Sequence, residues 1–228
     1  MILIRFDATR HLTYRPVGFF VRTDHPTRDQ VLRAALKKFA DCGYAGTSVQ
    51  DIVSAAKVAK PTLYYYFKSK AALYQALIDY AHDERVRLMR EAASRCDLLP
   101  EKLVEVLTAL FDFFNENQEL MRIAFSTAFA SPGEIPSGIQ YLDKCTRNFE
   151  FMHSLVKEAL ADGVLNRRFS SRELTMNIYG LLNIYVMGQL FQPLHPLNRK
   201  TAEQIVKLFL EGAAAKRTAR SPFRKLTQ

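Results

Sequence analysis

The sequence predicts an all-α protein: an N-terminal three-helix helix-turn-helix domain joined by a long helix to a larger helical body, about nine helices in all. Three observations predict it. Apolar residues recur at three- and four-residue spacing, Ser or Thr followed three residues later by Gln or Glu opens several segments, and β-branched residues form no alternating runs. At 228 residues, 48% hydrophobic and 24% charged, the chain is long enough for a sizeable core and has an ordinary globular composition.

Thr27-Arg28-Asp29-Gln30, preceded by Pro26, reads as a capping box with Thr27 at the N-cap. Val31, Leu32, Ala35, Leu36, Phe39 and Ala40 then form one stripe, and Gly43 closes the helix in a left-handed conformation. A second box, Thr47-Ser48-Val49-Gln50, opens a short helix with Val49, Ile52, Val53 and Ala56 facing inward. After the turn Ala56-Lys57-Val58-Ala59, Pro61 falls in the first turn of a helix Lys60–Tyr66, where its missing N–H costs nothing. Ser69 caps a long helix from Lys70 to about Arg95.

Further helices are expected from Pro100 to about Asn117, Gln118 to Ala130, Ser137 to Ala161, Ser171 to about Gln192, and Arg199 to Ala215. Ser131-Pro132-Gly133, Asp162-Gly163, Pro193 and Pro196 separate them, and Ser170-Ser171-Arg172-Glu173 is a third capping box. The one strand-like stretch is Gly18 to Arg22.

The net charge of +9 is unevenly placed. Residues 26–70 carry eight basic and three acidic residues, +5, while 71–215 carry fifteen and eighteen, −3. The extension 1–25 adds +2 and the tail 216–228 adds +5. A basic N-terminal block on a mildly acidic body points to a polyanionic partner, nucleic acid first.

Other classes are excluded. The longest apolar stretch, Gly180 to Phe191, contains Asn183 and Gln189 and is short of the ~20 residues that span a bilayer. Arg5 and Asp7 follow only four apolar residues, so the N-terminus is no signal peptide. Cys42, Cys96 and Cys145, without a CxxC pair, read as buried small hydrophobes in a reducing cytoplasm, so a cytoplasmic protein without metal is expected. No two histidines stand at i,i+4, and no Walker, GxGxxG or GxSxG sequence occurs, so neither enzyme nor cofactor is expected.

Helical spacing divides Lys60–Tyr66 into two faces. Leu63, Tyr66 and Phe67 pack inward, leaving Lys60, Pro61, Thr62, Tyr64 and Tyr65 outward. Hydroxyls of Thr and Tyr bond phosphates, Pro and Tyr rings meet thymine methyls, and Lys68 and Lys70 lie where they neutralise phosphates.

This stretch resembles a known family. Thr27–Leu77 is similar to the DNA-binding domain of TetR-type transcriptional regulators, through Phe39-Ala40, Gly43-Tyr44, Thr47-Ser48-Val49, Asp51-Ile52 and above all Thr62-Leu63-Tyr64-Tyr65-Tyr66-Phe67-Lys68-Ser69-Lys70. The resemblance implies a homodimer on a two-fold symmetric double-stranded operator, with the second helix of the motif in the major groove. It implies base-edge contact by Lys60, Pro61, Thr62 and Tyr64, and phosphate contact by Thr47, Tyr65 and Lys70. Three positions depart from the pattern: Lys57 stands for the usual turn glycine, Ala59 for the usual capping Ser, and Ala72 for the acid completing a capping box.

For 71–215 the resemblance implies an effector cavity among the middle helices and a dimer interface on the last two. Phe111, Phe114, Met121, Phe125, Phe129, Phe149 and Met152 suit an adaptable apolar pocket and suit a plain helical core equally. Leu174, Ile178, Leu181, Leu182 and Tyr185, with Ile205, Leu208 and Phe209, are the interface candidates, against an intramolecular core. The expected function is a repressor released from its operator by a small, mostly apolar effector, and no membrane partner is expected. The competing class is a helical small-molecule binder or enzyme whose DNA motif is unused. Arg5, Arg10, Arg15 and Arg22 are either an arm for a minor groove or a plain extension, and the tail from Lys216 either aids DNA affinity or solubilises.

Overall fold

The computed structural model describes residues 25–131, 133–191 and 195–212. The strand-like stretch Gly18–Arg22, the N-terminal arginines and the basic tail lie outside them. Nine helices form among the described residues: α1 Pro26–Cys42, α2 Val49–Ala55, α3 Lys60–Tyr66, α4 Lys70–Ala93, α5 Leu99–Glu116, α6 Gln118–Phe129, α7 Leu142–Ala161, α8 Ser171–Phe191 and α9 Arg199–Glu211.

Helices α1–α3 pack on one another around Val31, Leu32, Ala35, Leu36, Phe39, Ile52, Val53 and Leu63, all buried. In the body, α5 is central. It touches α4, α6, α7, α8 and α9, and buries Leu103, Val106, Leu107, Phe111, Phe113 and Phe114. Its apolar residues wrap most of the helix, as a helix surrounded by others requires.

Local chemistry explains the boundaries, with three corrections. Thr27 is not the N-cap of α1. The helix starts two residues earlier than that cap implies, with Pro26 at its first position and His25 at the N-cap, because proline's fixed φ already suits a first turn. Ser48, not Thr47, caps α2. Ser48 Oγ accepts from the Asp51 amide at 3.1 Å while Asp51 Oδ2 accepts from the Ser48 amide at 2.9 Å, so the acid at N3 selects the register. Helix α7 begins at Leu142, not Ser137, since Ile135 forms an isolated bridge and Gly138 adopts φ 80.

The expected Ser170–Glu173 box is present, with amide–side-chain bonds of 2.7 and 3.3 Å. Ser69 Oγ accepts from the Ala72 amide at 3.0 Å, half of a box, as the missing acid dictates. Cys42 is exposed and the other two cysteines are half-buried, so none is the fully buried hydrophobe expected. Among the described residues no helix is long and apolar enough to cross a membrane, and no group of three metal-ligating side chains gathers.

Candidate nucleic-acid interface

Helix α3 has seven residues, too few to persist alone, so packing must hold it. Leu63 and Phe67 are its anchors, each contributing roughly 2 kcal/mol by burial. The Arg28 guanidinium lies 5.2 Å from the Phe67 ring and His25 sits 6.1 Å from the Tyr66 ring, pinning α1 against the end of α3. At its start, the Ala59 side chain caps nothing and the amides of Thr62 and Leu63 turn back to the Ala59 carbonyl.

The opposite face is open. Lys60, Pro61, Tyr64, Tyr65 and Lys68 are exposed, Tyr65 by 83%, and Thr62 is half-buried. Tyr66 meets Tyr65 edge-on at 5.0 Å and orients it. A solvent-facing surface of two lysines, a proline and two tyrosines provides cations for phosphates and flat rings with hydroxyls for base edges. Lys57 in the preceding turn holds φ 51, the left-handed region where glycine is at ease, and its side chain is exposed. Gln30 Nε2 donates to the Ala56 carbonyl at 2.7 Å, tying α1 to that turn.

Two residues expected at phosphates face inward instead. Thr47 is 2% exposed, and its hydroxyl lies 2.7 Å from the Gly43 carbonyl and 3.1 Å from that of Lys38. Lys70 Nζ donates to the carbonyls of Tyr44 at 2.9 Å and Thr47 at 2.7 Å, and lies 4.1 Å from the Tyr44 ring centroid. Desolvation lowers its pKa. Both side chains therefore fasten the α1–α2 connection. That connection is tight: Gly43 has φ 70, and a Cβ on Gly46 would stand 2.4 Å from the Cys42 carbonyl oxygen. Sequence reasoning missed this role because a lysine's long stem reaches either way.

The same aromatic cluster links the three-helix domain to the body. The rings of Phe39, Tyr44 and Tyr74 pack mutually with centroids 5.2 to 5.8 Å apart, Tyr74 meeting the other two edge-on. The Tyr74 hydroxyl hydrogen-bonds Thr127 Oγ1 of α6 at 2.9 Å in a buried contact, and α1 packs directly on α6. Helix α6 therefore contacts both α1 and α4.

In the body, Phe111, Phe114, Met121 and Met152 are buried in close packing, while Phe125 and Phe149 are half-buried. Phe129 is 74% exposed at the end of α6 and lines no interior space, a correction to the expected pocket. An open depression of about 210 Å³ is lined by Asp83, Val86, Arg87, Arg90 and Arg147, and another of about 220 Å³ by Tyr185, His195 and the start of α9.

The interface candidates also divide. Ile178, Leu182 and Ile205 are buried inside the subunit, so this stripe of α8 is intramolecular core. Leu174, Leu181, Tyr185 and Phe209 are half-buried and Leu208 is 42% exposed. The outward apolar residues of α8 are Met176, Ile184 and Phe191, exposed by 66, 61 and 83%. The sequence stripe missed them because α8 is apolar around most of its circumference, which blurs its faces.

Comparison with known proteins agrees with this architecture. Residues 31–77 match the family model "Bacterial regulatory proteins, tetR family". The HTH-type transcriptional activator FasR of Mycolicibacterium smegmatis is 29% identical over 144 residues, 61% of this chain and 66% of FasR. The fatty acid degradation regulator FadR of Bacillus halodurans superposes with a TM-score of 0.71 at 20% identity, covering 84% of this chain and 98% of that one. Bacillus subtilis FadR in complex with stearoyl-CoA gives 0.69 at 19% identity, covering 81% and 98%. Matches to FasR and other curated relatives span 31% to 66% of those proteins' lengths. With the α1–α3 domain, the outward face of α3 and the family match over that same stretch, residues 31–77 form the N-terminal domain of the tetR family of bacterial regulatory proteins.

Proposed function

We propose that the protein is a DNA-binding transcriptional repressor that acts as a homodimer and is released by a small, mostly apolar effector. The observation that carries the DNA reading is α3: a helix anchored by Leu63 and Phe67 whose outward face is Lys60, Pro61, Tyr64 and Tyr65. Two such helices, one per subunit, read half-sites about 34 Å apart on a two-fold operator. The outward Met176, Ile184 and Phe191 of α8 with Leu208 of α9 offer the apolar face a dimer needs.

Release follows from the link between body and domain. In this reading the closely packed body, which coexists with an exposed α3, is the state that binds DNA. An effector that prefers a more open body moves α6 and, through Tyr74 and Thr127, the α1–α4 frame. The regulator FadR of B. subtilis was crystallised with stearoyl-CoA, which makes acyl compounds the first ligands to try.

Fluorescence anisotropy on the DNA upstream of its own coding sequence tests the function. A salt-sensitive complex that outcompetes unrelated DNA is expected. Absence of any sequence preference would sink the reading. Tyr64→Ala should relax base preference at one position per half-site, and Ile184→Glu should give monomers with greatly weakened operator binding.

A further inference from the structure

Where α4, α7 and α8 meet, a polar cluster is buried that DNA reading does not use. Arg85 of α4 is 8% exposed, and its side-chain hydrogen bond runs from Nη2 to the Tyr179 hydroxyl of α8 at 3.2 Å. A guanidinium has five donors and keeps its charge. The acids beside it in the chain are engaged elsewhere. Glu84 is gripped by Arg87 at 2.6 and 2.8 Å, while Asp83 pairs with Lys144 at 3.1 Å and with Arg147. Among the described residues, Arg85 has no carboxylate partner.

Its neighbours offer no counter-charge. His82, one turn earlier on α4, is 4% exposed and held neutral by burial and then by the Arg85 charge, with its pKa near 4. Asn148 of α7 is wholly buried. Its Nδ2 donates to His82 Nδ1 at 3.0 Å and to the Lys144 carbonyl at 3.1 Å, which leaves Oδ1 buried without a partner among the described residues. The buried Arg85 charge is costly unless an anion joins it, whereas the Asn148 Oδ1 acceptor calls for a donor and not for that anion. Apolar side chains border the cluster, since Phe149 meets Tyr179 edge-on at 6.0 Å and Met152 lies one turn further along α7.

We propose that this junction binds the carboxylate of an amphiphilic effector, Arg85 taking it in a two-pronged grip and the apolar chain lying along Phe149 and Met152. The inference rests on the effector reading above and gives it a chemistry: a free fatty-acid-like anion rather than a thioester, whose acyl carbonyl carries no charge. Arginine is the residue suited to such a grip, because its planar fork matches the two carboxylate oxygens.

Calorimetric titration of the full-length protein with decanoate, methyl decanoate and decanoyl-CoA tests it. Decanoate should bind at least tenfold more tightly than the ester or the thioester. Arg85→Met should lose at least tenfold in decanoate affinity while its ligand-free Tm is kept or raised, because a buried unpaired charge has been removed. Tyr179→Phe, which keeps the packing, should lose part of the affinity if Arg85 is misoriented without it. Equal binding of all three probes, no decanoate binding, or unaltered decanoate affinity in Arg85→Met overturns the proposal, as does a fall in that variant's Tm without a fall in affinity. A specific DNA complex that decanoate fails to release leaves the DNA-binding reading standing and removes this one alone.

Discussion

Lys70→Ala separates two roles that the sequence cannot distinguish. A lysine contacting a phosphate contributes to affinity through counterion release, and its loss lowers the slope of log K against log salt by about 0.9. The structure gives Lys70 a different task, two hydrogen bonds to the Tyr44 and Thr47 carbonyls and a place over the Tyr44 ring. Taken at about 1 kcal/mol per bond, because solvent reaches the ammonium, with about 0.5 kcal/mol for the ring, removal costs about 2.5 kcal/mol. For a chain of this size that lowers Tm by about 5–10 °C. The measurement is a thermal melt paired with operator binding between 50 and 200 mM salt, beside Lys68→Ala, whose exposed side chain suits the phosphate role. Lys70→Ala should lower Tm and keep the salt slope, and Lys68→Ala should do the reverse. An unchanged Tm with a slope reduced by about one for Lys70→Ala refutes the internal role.

Three further outcomes are expected. Lys57→Gly should raise stability by about 0.5–1 kcal/mol in chemical denaturation, since relief at φ 51 outweighs glycine's extra unfolded-state freedom; Lys57→Ala should give no such gain. Ala59→Ser should supply the missing cap on α3 for about 1 kcal/mol, read as a higher Tm with operator affinity maintained or improved. Burial lowers the His82 pKa from 6.5 to about 4, so the unfolded chain binds a proton there that the folded chain does not. Stability present above pH 6.5 is therefore lost as pH falls toward 4, by about 3 kcal/mol from this group; urea midpoints for His82→Gln should fall less steeply across that window, and parallel curves would count against it.

Much of the fold was legible because local chemistry and packing agree. Lys60–Tyr66 is bounded by a proline in its first turn and by Phe67, whose burial ends the helix, and both signals are in the letters. Ser170 and Glu173 were equally plain. Where two candidate caps adjoin, as at Thr47 and Ser48, the choice falls to tertiary structure, since only the fold shows the Thr47 hydroxyl turned to the Gly43 carbonyl. The outward face of α3 was legible because Leu63 and Phe67 can only face one way. The body was not. Helix α8 carries Ile178 and Leu182 inward and Met176 and Ile184 outward, and periodicity cannot assign a helix that is apolar on both sides. Buried Arg85 left no sequence signal, because a lone arginine on an amphipathic helix ordinarily reaches solvent.

The contact between Asn148 and His82 also settles the redox character of Cys145. Because Asn148 Nδ2 donates to His82 Nδ1, the neutral imidazole carries its proton on Nε2, and that N–H faces Cys145 Sγ at 3.9 Å. The ring thus offers the sulfur a donor rather than a lone pair and cannot serve as its base. Burial pushes the Cys145 thiol up, with Arg85 opposing only in part. The thiolate that peroxide or an electrophile would attack is scarce there, so Cys145, despite a histidine beside it, is an inert thiol, and alkylating reagents should meet the exposed Cys42 first.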